Sequence, residues 1–397
     1  MAVLSAVLAA LYLIVALAGV PQTGNDTWVY QGWGEALRAT GWDLVAFREE
    51  VDFLAGTEIF YVASATVFAL MAAAFGDNWL TGYVIFNWVT MSATALVMLL
   101  SLRRLGFDGA SLLVAALFMG VLWEHVYWVS VVYTDISFNF LLALVFASCA
   151  VGLTGSPGRR RYLAWAIAFV LALVTVVYRP TGLWVVGVLV VAFAAGTHRF
   201  PFVPGSVRRQ VFHALAVAAF LLVAVWISAS IVLANANLLP ESFLKDLVLF
   251  LDELFRDGMI VSARPETYAS PPGGALDYSA MIGRKFFYYF KFSAVGFGGA
   301  HNLYNWITFA PFYFLVLVGV SSVVFAPSEM NQSILGAGIL ALIWVAVFAL
   351  AHAVTIIDFD WRYRLPVYAP LGVLAIIGFS RVQSALVRLV VRPAATR

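Results

Sequence analysis

The sequence has little cysteine and little charge for its length. Cys149, inside an apolar run, is the only cysteine in 397 residues, so one chain has neither a disulfide framework nor a cysteine metal site. Charged residues make up 11% and hydrophobic residues 63%, against about 25% and about 45–50% in soluble domains. This composition excludes an ordinary soluble fold. It predicts an all-α polytopic membrane protein, with 1–397 as one transmembrane domain and no soluble domain.

Several functional motifs are also missing. The sequence has no glycine-rich phosphate loop, no nucleophile elbow and no His-x-x-x-His metal pair. The basic residues are scattered, which excludes a nucleic-acid-binding face. The sequence contains no internal repeat, which argues against transporters built from two similar halves.

Uncharged runs of about 20 residues are long enough to cross a bilayer core. The first run lacks a basic n-region, which favours a retained helix over a signal peptide. Ten runs are therefore predicted to span the membrane: 2–21, 79–102, 110–127, 133–153, 162–178, 182–197, 211–235, 306–326, 333–353 and 366–381.

Segment 58–75 is apolar enough to be an eleventh span. If it instead lies flat on the membrane, every short basic loop falls on one side, as the positive-inside rule requires. We therefore predict an interfacial helix here, both termini in the cytoplasm and two long outer loops, 22–78 and 236–305. Within the second loop, Met281 to Phe297 is predicted to form an amphipathic helix in the headgroup layer.

Two acidic residues are placed at the outer boundary of this topology. Asp26 follows the first span in an aromatic context, where partial desolvation favours a proton acceptor; it is equally consistent with the N-cap of a helix beginning at Thr27. Asp135 opens an apolar span, where an ionisable residue is a functional candidate, although a helix N-terminus also stabilises a carboxylate.

Arginines are predicted at the same boundary. Arg179 lies in a tight break between two spans, where it needs an anion such as Asp135 or a ligand phosphate. Arg362 and Arg364 precede the last span. They are either membrane anchors or, on one side of an extended strand, a pair that reaches one lipid phosphate.

The order of these motifs resembles the GT-C superfamily of integral membrane glycosyltransferases, including the relatives of protein O-mannosyltransferases and aminoarabinose transferases. The resemblance covers residues 20–370 through short motifs. They are Asp26 with Tyr30, Ala36-Leu37, Gly41-Trp42-Asp43, the segment from Glu58 to Phe75, Arg103 to Gly106, Thr134-Asp135, Arg179 to Leu183, and Arg362 to Pro366.

The resemblance implies inverting, single-displacement transfer of a sugar from a polyprenyl-phosphate carrier to an acceptor hydroxyl at the extracytoplasmic face. The acceptor is a lipid, a glycan or a protein, and the location a bacterial inner membrane. Asp26 and Asp135 are implied to be catalytic, and Arg179, Arg362 and Arg364 to bind the donor phosphate. Substrate-binding roles are implied for Tyr30, Glu58, Arg179 and Tyr363.

The sequence departs from the family at two points. Thr27 follows Asp26 where many members have a second acid, which argues against a metal bound by an acidic pair at this point. The resemblance leaves a divalent metal elsewhere in the site open. Glu58 is followed by Ile59 and Phe60 where relatives have a phosphate-binding lysine, which leaves phosphate binding to the arginines. A polymerase or ligase of lipid-linked polysaccharide, a lipid or solute transporter and a structural membrane subunit remain alternatives.

Overall fold

The computed structural model describes residues 1–51, 58–154, 158–197, 259–260, 268–270, 273, 275–293, 298–355 and 361–391. Within these ranges the helices are joined by irregular segments, and the two strands, β1 (Met259–Ile260) and β2 (Tyr268–Ala269), form one antiparallel pair. The predicted span 211–235 and most of the predicted loop 236–305 lie outside the described residues.

The helices of the described ranges are numbered here along the chain. In chain order they are α1 (Ala2–Ala18), α2 (Asn25–Ala39), α3 (Leu44–Glu50), α4 (Val62–Phe75), α5 (Trp79–Arg104), α6 (Gly109–Val121), α7 (Trp123–Tyr127), α8 (Asp135–Thr154), α9 (Arg159–Tyr178), α10 (Gly182–Thr197), α11 (Ala275–Tyr288), α12 (Gly299–Phe325), α13 (Gln332–Thr355) and α14 (Leu365–Val391).

The apolar helices support a multi-pass membrane protein. Six helical segments in the described part of the chain are long and apolar enough to cross a bilayer, and a seventh is added if the bent pair α6 and α7 counts as one span. Every predicted span outside 211–235 contains a helix. The total of ten crossings stays a prediction, since α1 and α10 are shorter than the other candidates.

The helical run from Val62 to Arg104 turns back on itself. Its 43 residues would extend about 65 Å as a straight helix, twice the thickness of a bilayer core. Gly76 has a φ of +54°, a conformation that favours glycine, and the rings of Phe68 and Tyr83 lie 4.5 Å apart. The run is therefore a hairpin, and the 14 residues of α4 extend about 21 Å, too short for a separate crossing.

Helix α11 is shifted from the predicted amphipathic helix Met281 to Phe297. It begins at Ala275 and ends at Tyr288. The shift has a physical reason: Asp277 lies in the first turn, where a carboxylate stabilises the helix N-terminus. The helix has a buried basic side chain, Lys285, and an exposed aromatic one, Phe287.

The contacts of α14 identify the two ends of the bundle. Helix α14 begins beside Arg362, and its Ser380 hydroxyl lies 3.1 Å from the hydroxyl of Ser111, near the start of α6. From Leu365 to Ser380 the helix rises about 22 Å. Arg362 and Ser111 therefore mark opposite ends, and the candidate site lies at the Arg362 end.

Candidate active site

The segment after α1 is held against the segment that leads into α8. The amide of Gln22 donates to the Ser130 carbonyl at 2.9 Å, and the amide of Val132 donates to the Gln22 carbonyl at 2.9 Å. The Thr27 hydroxyl also donates to the Val132 carbonyl at 2.9 Å. These bonds bring the first turn of α2 close to Asp135, although the two lie far apart in sequence.

Asp26 lies in the first turn of α2 and is not its N-cap. The helix begins at Asn25, Gly24 is the cap, and the Gly24 amide donates to the Thr27 hydroxyl at 3.1 Å. The N-cap alternative for Asp26 was therefore wrong. The carboxylate instead accepts a hydrogen bond from a guanidinium nitrogen of Arg362 and keeps 37% of its side chain exposed, so it remains accessible.

Asp135 and Arg179 form a second, more deeply buried ion pair. Asp135 opens α8, and Arg179 follows the end of α9. The Arg179 guanidinium donates to Oδ1 of Asp135, and the side chains of Arg179 and Asp135 are 11% and 5% exposed. Of the two anions that the sequence left open for Arg179, the structure shows the contact with Asp135. The second carboxylate oxygen, Oδ2, is buried and has no hydrogen-bond partner in the described part of the chain.

Gly182 makes the break between α9 and α10 possible. A Cβ at this position would lie 2.1 Å from the Thr175 carbonyl oxygen, which no side chain tolerates. The amide of Gly182 donates to the carbonyl of Arg179 at 2.8 Å, which closes the turn. The sequence therefore requires glycine here for the turn that presents Arg179.

The segment Trp361–Arg364 forms a 3₁₀ turn, so the prediction of an extended strand was wrong. Successive residues of such a turn are rotated by about 120°, and residues two apart point in different directions. Arg362 contacts Asp26, and its guanidinium lies 5.0 Å from the ring centroid of Tyr133 and 5.3 Å from that of Tyr363. Arg364 points into the bundle, so the two arginines do not form one phosphate clamp.

Arg364 is fully buried in a separate polar cluster. One of its guanidinium nitrogens donates to Glu124 and the other to the carbonyl of Lys291, and the Tyr368 hydroxyl donates to the second oxygen of Glu124. Glu124 did not appear among the sequence-predicted site residues. The sequence did contain a signal for Glu124, because it is a carboxylate inside the apolar run 110–127.

Two of the predicted arginines line one cleft. Arg179 and Arg362 face it together with Asp135, and its other lining side chains are Phe138, Thr181, Trp184, Tyr363 and Pro366. Four distant parts of the chain thus place two guanidinium groups and two carboxylates at one end of the bundle. Such a cleft binds an anion through the guanidinium groups and offers a carboxylate beside it.

The remaining predicted substrate-binding residues have different positions. Tyr30 is buried, and its ring lies 5.3 Å from that of Trp33 and 5.9 Å from that of Tyr61. Burial raises the pKa of the Tyr30 hydroxyl, so at neutral pH it remains a hydrogen-bond donor. Tyr363 lines the cleft. The side chain of Glu58 lies outside what the structure describes.

The carboxylates do not fit a divalent metal. Asp26 and Asp135 each accept a hydrogen bond from an arginine, whose positive charge opposes a second cation. No group of three or more His, Cys, Asp or Glu side chains converges within the described ranges.

Comparison with known proteins adds no family to this geometry. No family model, no curated protein and no solved structure matches the chain.

Proposed function

We propose that the protein is a membrane glycosyltransferase of the GT-C type, which transfers a sugar from a polyprenyl-phosphate carrier to an acceptor hydroxyl. One observation carries the proposal: Arg179 and Arg362 line a single cleft, and each holds a carboxylate. A lipid phosphate needs cationic groups at the membrane boundary. An acceptor hydroxyl needs a carboxylate within hydrogen-bond reach.

Donor binding changes the pairing of Asp26. A phosphate that enters the cleft competes for the guanidinium of Arg362, which now bonds to Asp26. Part of the arginine's hydrogen bonding passes to the phosphate, and Asp26 becomes free to accept a proton. Asp26 therefore stays paired with Arg362 until the donor binds.

The chemical step is a single displacement. The acceptor hydroxyl gives its proton to Asp26, and its oxygen attacks the anomeric carbon while the bond from that carbon to the phosphate oxygen breaks. The electron pair of that bond leaves with the phosphate, and Arg362 and Arg179 stabilise its charge. Attack opposite the leaving group inverts the anomeric configuration. Asp135 orients Arg179 through their buried ion pair.

The proposal also covers the side of the membrane on which the cleft lies and the membrane that contains the protein. The positive-inside rule applied to the short basic loops supports a location of the Arg362 end of the bundle outside the cytoplasm. A lipid-linked donor at that face belongs to a cell-envelope pathway, and we assign the protein to a bacterial inner membrane. In the alternative function, that of a polymerase or ligase of lipid-linked polysaccharide, the same cleft would bind the donor and the acceptor would be a glycan.

A transporter is the second candidate, because the structure places the ion pair of Glu124 and Arg364 inside the helix bundle. Ionisable pairs surrounded by membrane helices are common on transport pathways. This candidate predicts movement of a solute or lipid across a sealed bilayer, without a new glycosidic bond.

Reconstituted protein separates these candidates. Proteoliposomes receive a polyprenyl-phosphate sugar with a labelled sugar group, together with membrane extract as acceptor. We expect labelled product from the wild type and a rate about 10²–10⁴-fold slower from Asp26→Asn, the contribution of a general base. Glu35→Gln is the matched control, since Glu35 is an exposed acid of the same helix.

Each outcome decides between the classes. Transfer that is equally fast in the wild type and Asp26→Asn removes Asp26 as the base. Uptake or flipping of the labelled compound with no product supports the transporter.

A further inference from the structure

The position of Glu124 depends on a bend between two helices. Helix α6 ends at Val121, Leu122 is extended, and the chain continues at an angle of 63°. This bend turns Glu124 into the bundle, where only 4% of the residue is exposed. A buried carboxylate is stabilised by a positive charge and by hydrogen bonds to its oxygens.

Both oxygens of Glu124 have partners in the bundle. Oε1 accepts from Arg364, and Oε2 accepts from the Tyr368 hydroxyl. Arg364 also donates to the Lys291 carbonyl. Glu124 therefore connects the bend after α6, the segment after α11 and the start of α14.

The same contacts fix the 3₁₀ turn that carries Arg362. Arg364 anchors the end of the turn through Glu124, and the Tyr289 hydroxyl donates to the Tyr363 carbonyl at 2.9 Å. Arg362, two residues before Arg364, points the other way and reaches Asp26. Movement of Arg364 would rotate the turn and displace the Arg362 guanidinium.

We infer that Glu124 is a positioning residue: its ion pair with Arg364 sets the direction in which Arg362 enters the cleft. The effect on transfer rests on the proposed function, whereas the effect on the turn does not. Without this anchor, Arg362 binds the donor phosphate less well.

The geometry of the turn is measurable without any reaction. In a Cys149→Ala background, Asp26→Cys and Arg362→Cys place two thiols where the ion pair now lies, and Cys149 is fully buried. A short bifunctional thiol reagent joins them only when the turn faces α2. We expect the cross-linking rate to fall at least five-fold when Glu124→Gln is added.

A matched control uses an ion pair at the opposite end of the bundle. Glu329 bonds to Arg381 at 2.8 Å, and we expect Glu329→Gln to leave the cross-linking rate unchanged. If Glu124→Gln does not fold, Tyr368→Phe takes its place. It removes one hydrogen bond from Glu124 and keeps the ion pair, so a fall of about two-fold is expected. Only protein that elutes as a single species in gel filtration is compared.

Donor kinetics give the second readout. In otherwise wild-type protein we expect Glu124→Gln to raise the KM for the polyprenyl-phosphate sugar at least ten-fold, with no change in Glu329→Gln. A lower folded fraction alone reduces the apparent kcat and leaves KM unchanged, so the two effects are distinct.

The outcomes separate this inference from the proposed function. An unchanged cross-linking rate in Glu124→Gln, or in Tyr368→Phe where that variant replaces it, overturns the positioning role. A reduced rate supports it even if the wild type transfers no sugar, in which case the proposed function alone fails. Reduced cross-linking with an unchanged KM confines the role of Glu124 to the turn and removes its effect on donor binding.

Discussion

Asp135→Asn should destabilise the protein more than its small change in shape suggests. The substitution keeps the side-chain volume and leaves the Arg179 guanidinium buried without its counter-charge. Breaking a buried ion pair from one side costs about 3–5 kcal/mol. The Phe138 ring, 5.7 Å from the guanidinium, still contributes an attraction, so we expect the lower limit, about 3 kcal/mol.

A double-mutant cycle measures this coupling. Wild type, Asp135→Asn, Arg179→Gln and the double variant are unfolded reversibly in mixed micelles by increasing SDS, and tryptophan fluorescence follows the transition. The double variant contains no uncompensated charge, so it should recover most of the loss. The interaction energy is expected to be at least about 2 kcal/mol.

A parallel cycle on Glu329 and Arg381 is the control. The side chains of Glu329 and Arg381 are 61% and 21% exposed, and exposed pairs contribute about 1 kcal/mol or less. If the effects of Asp135→Asn and Arg179→Gln on the free energy of unfolding are additive, the ion pair does not stabilise the protein and this prediction is wrong.

Two further predictions concern the break at Gly182 and the N-cap of α6. Gly182→Ala should destabilise the protein by about 1–3 kcal/mol, since the new Cβ meets the Thr175 carbonyl. Gly187→Ala is the control, because it lies in the same helix and a Cβ there has no atom within 4 Å. Thermal unfolding of the two variants should show a loss of stability in Gly182→Ala alone. Hydrogen bonds from Ser111 lower the pKa of Asp108, the N-cap of α6. The cap therefore stabilises α6 at neutral pH and the contribution is lost as the pH falls below about 4. Asp108→Asn should unfold with a weaker pH dependence between about pH 6 and about pH 3, and an identical dependence would contradict this.

The helices could be predicted because their signal is local. An apolar run of about 20 residues has few alternatives in a membrane. The break at Arg179 was visible for the same reason, since proline and glycine follow within three residues. The need of Arg179 for an anion was also predictable, and Asp135 was one of the two anions that the sequence left open.

The positions of the other polar groups depend on tertiary structure. Alternation predicted an extended strand for Arg362 and Arg364, yet Trp361–Arg364 forms a 3₁₀ turn in which Arg364 bonds to Glu124, 240 residues away. Sequence spacing contains no information about that partner. The pairing of Asp26 with Arg362 across 336 residues is unpredictable for the same reason.

The anomeric configuration of the product tests the proposed sugar transfer most directly. Purified protein receives a polyprenyl-phosphate sugar of known anomeric configuration and an acceptor, and NMR determines the anomeric configuration of the transferred sugar. Single displacement predicts inversion, equimolar release of polyprenyl phosphate, and loss of both in Asp26→Asn but not in Glu35→Gln. A retained configuration, or full transfer by Asp26→Asn, would contradict it.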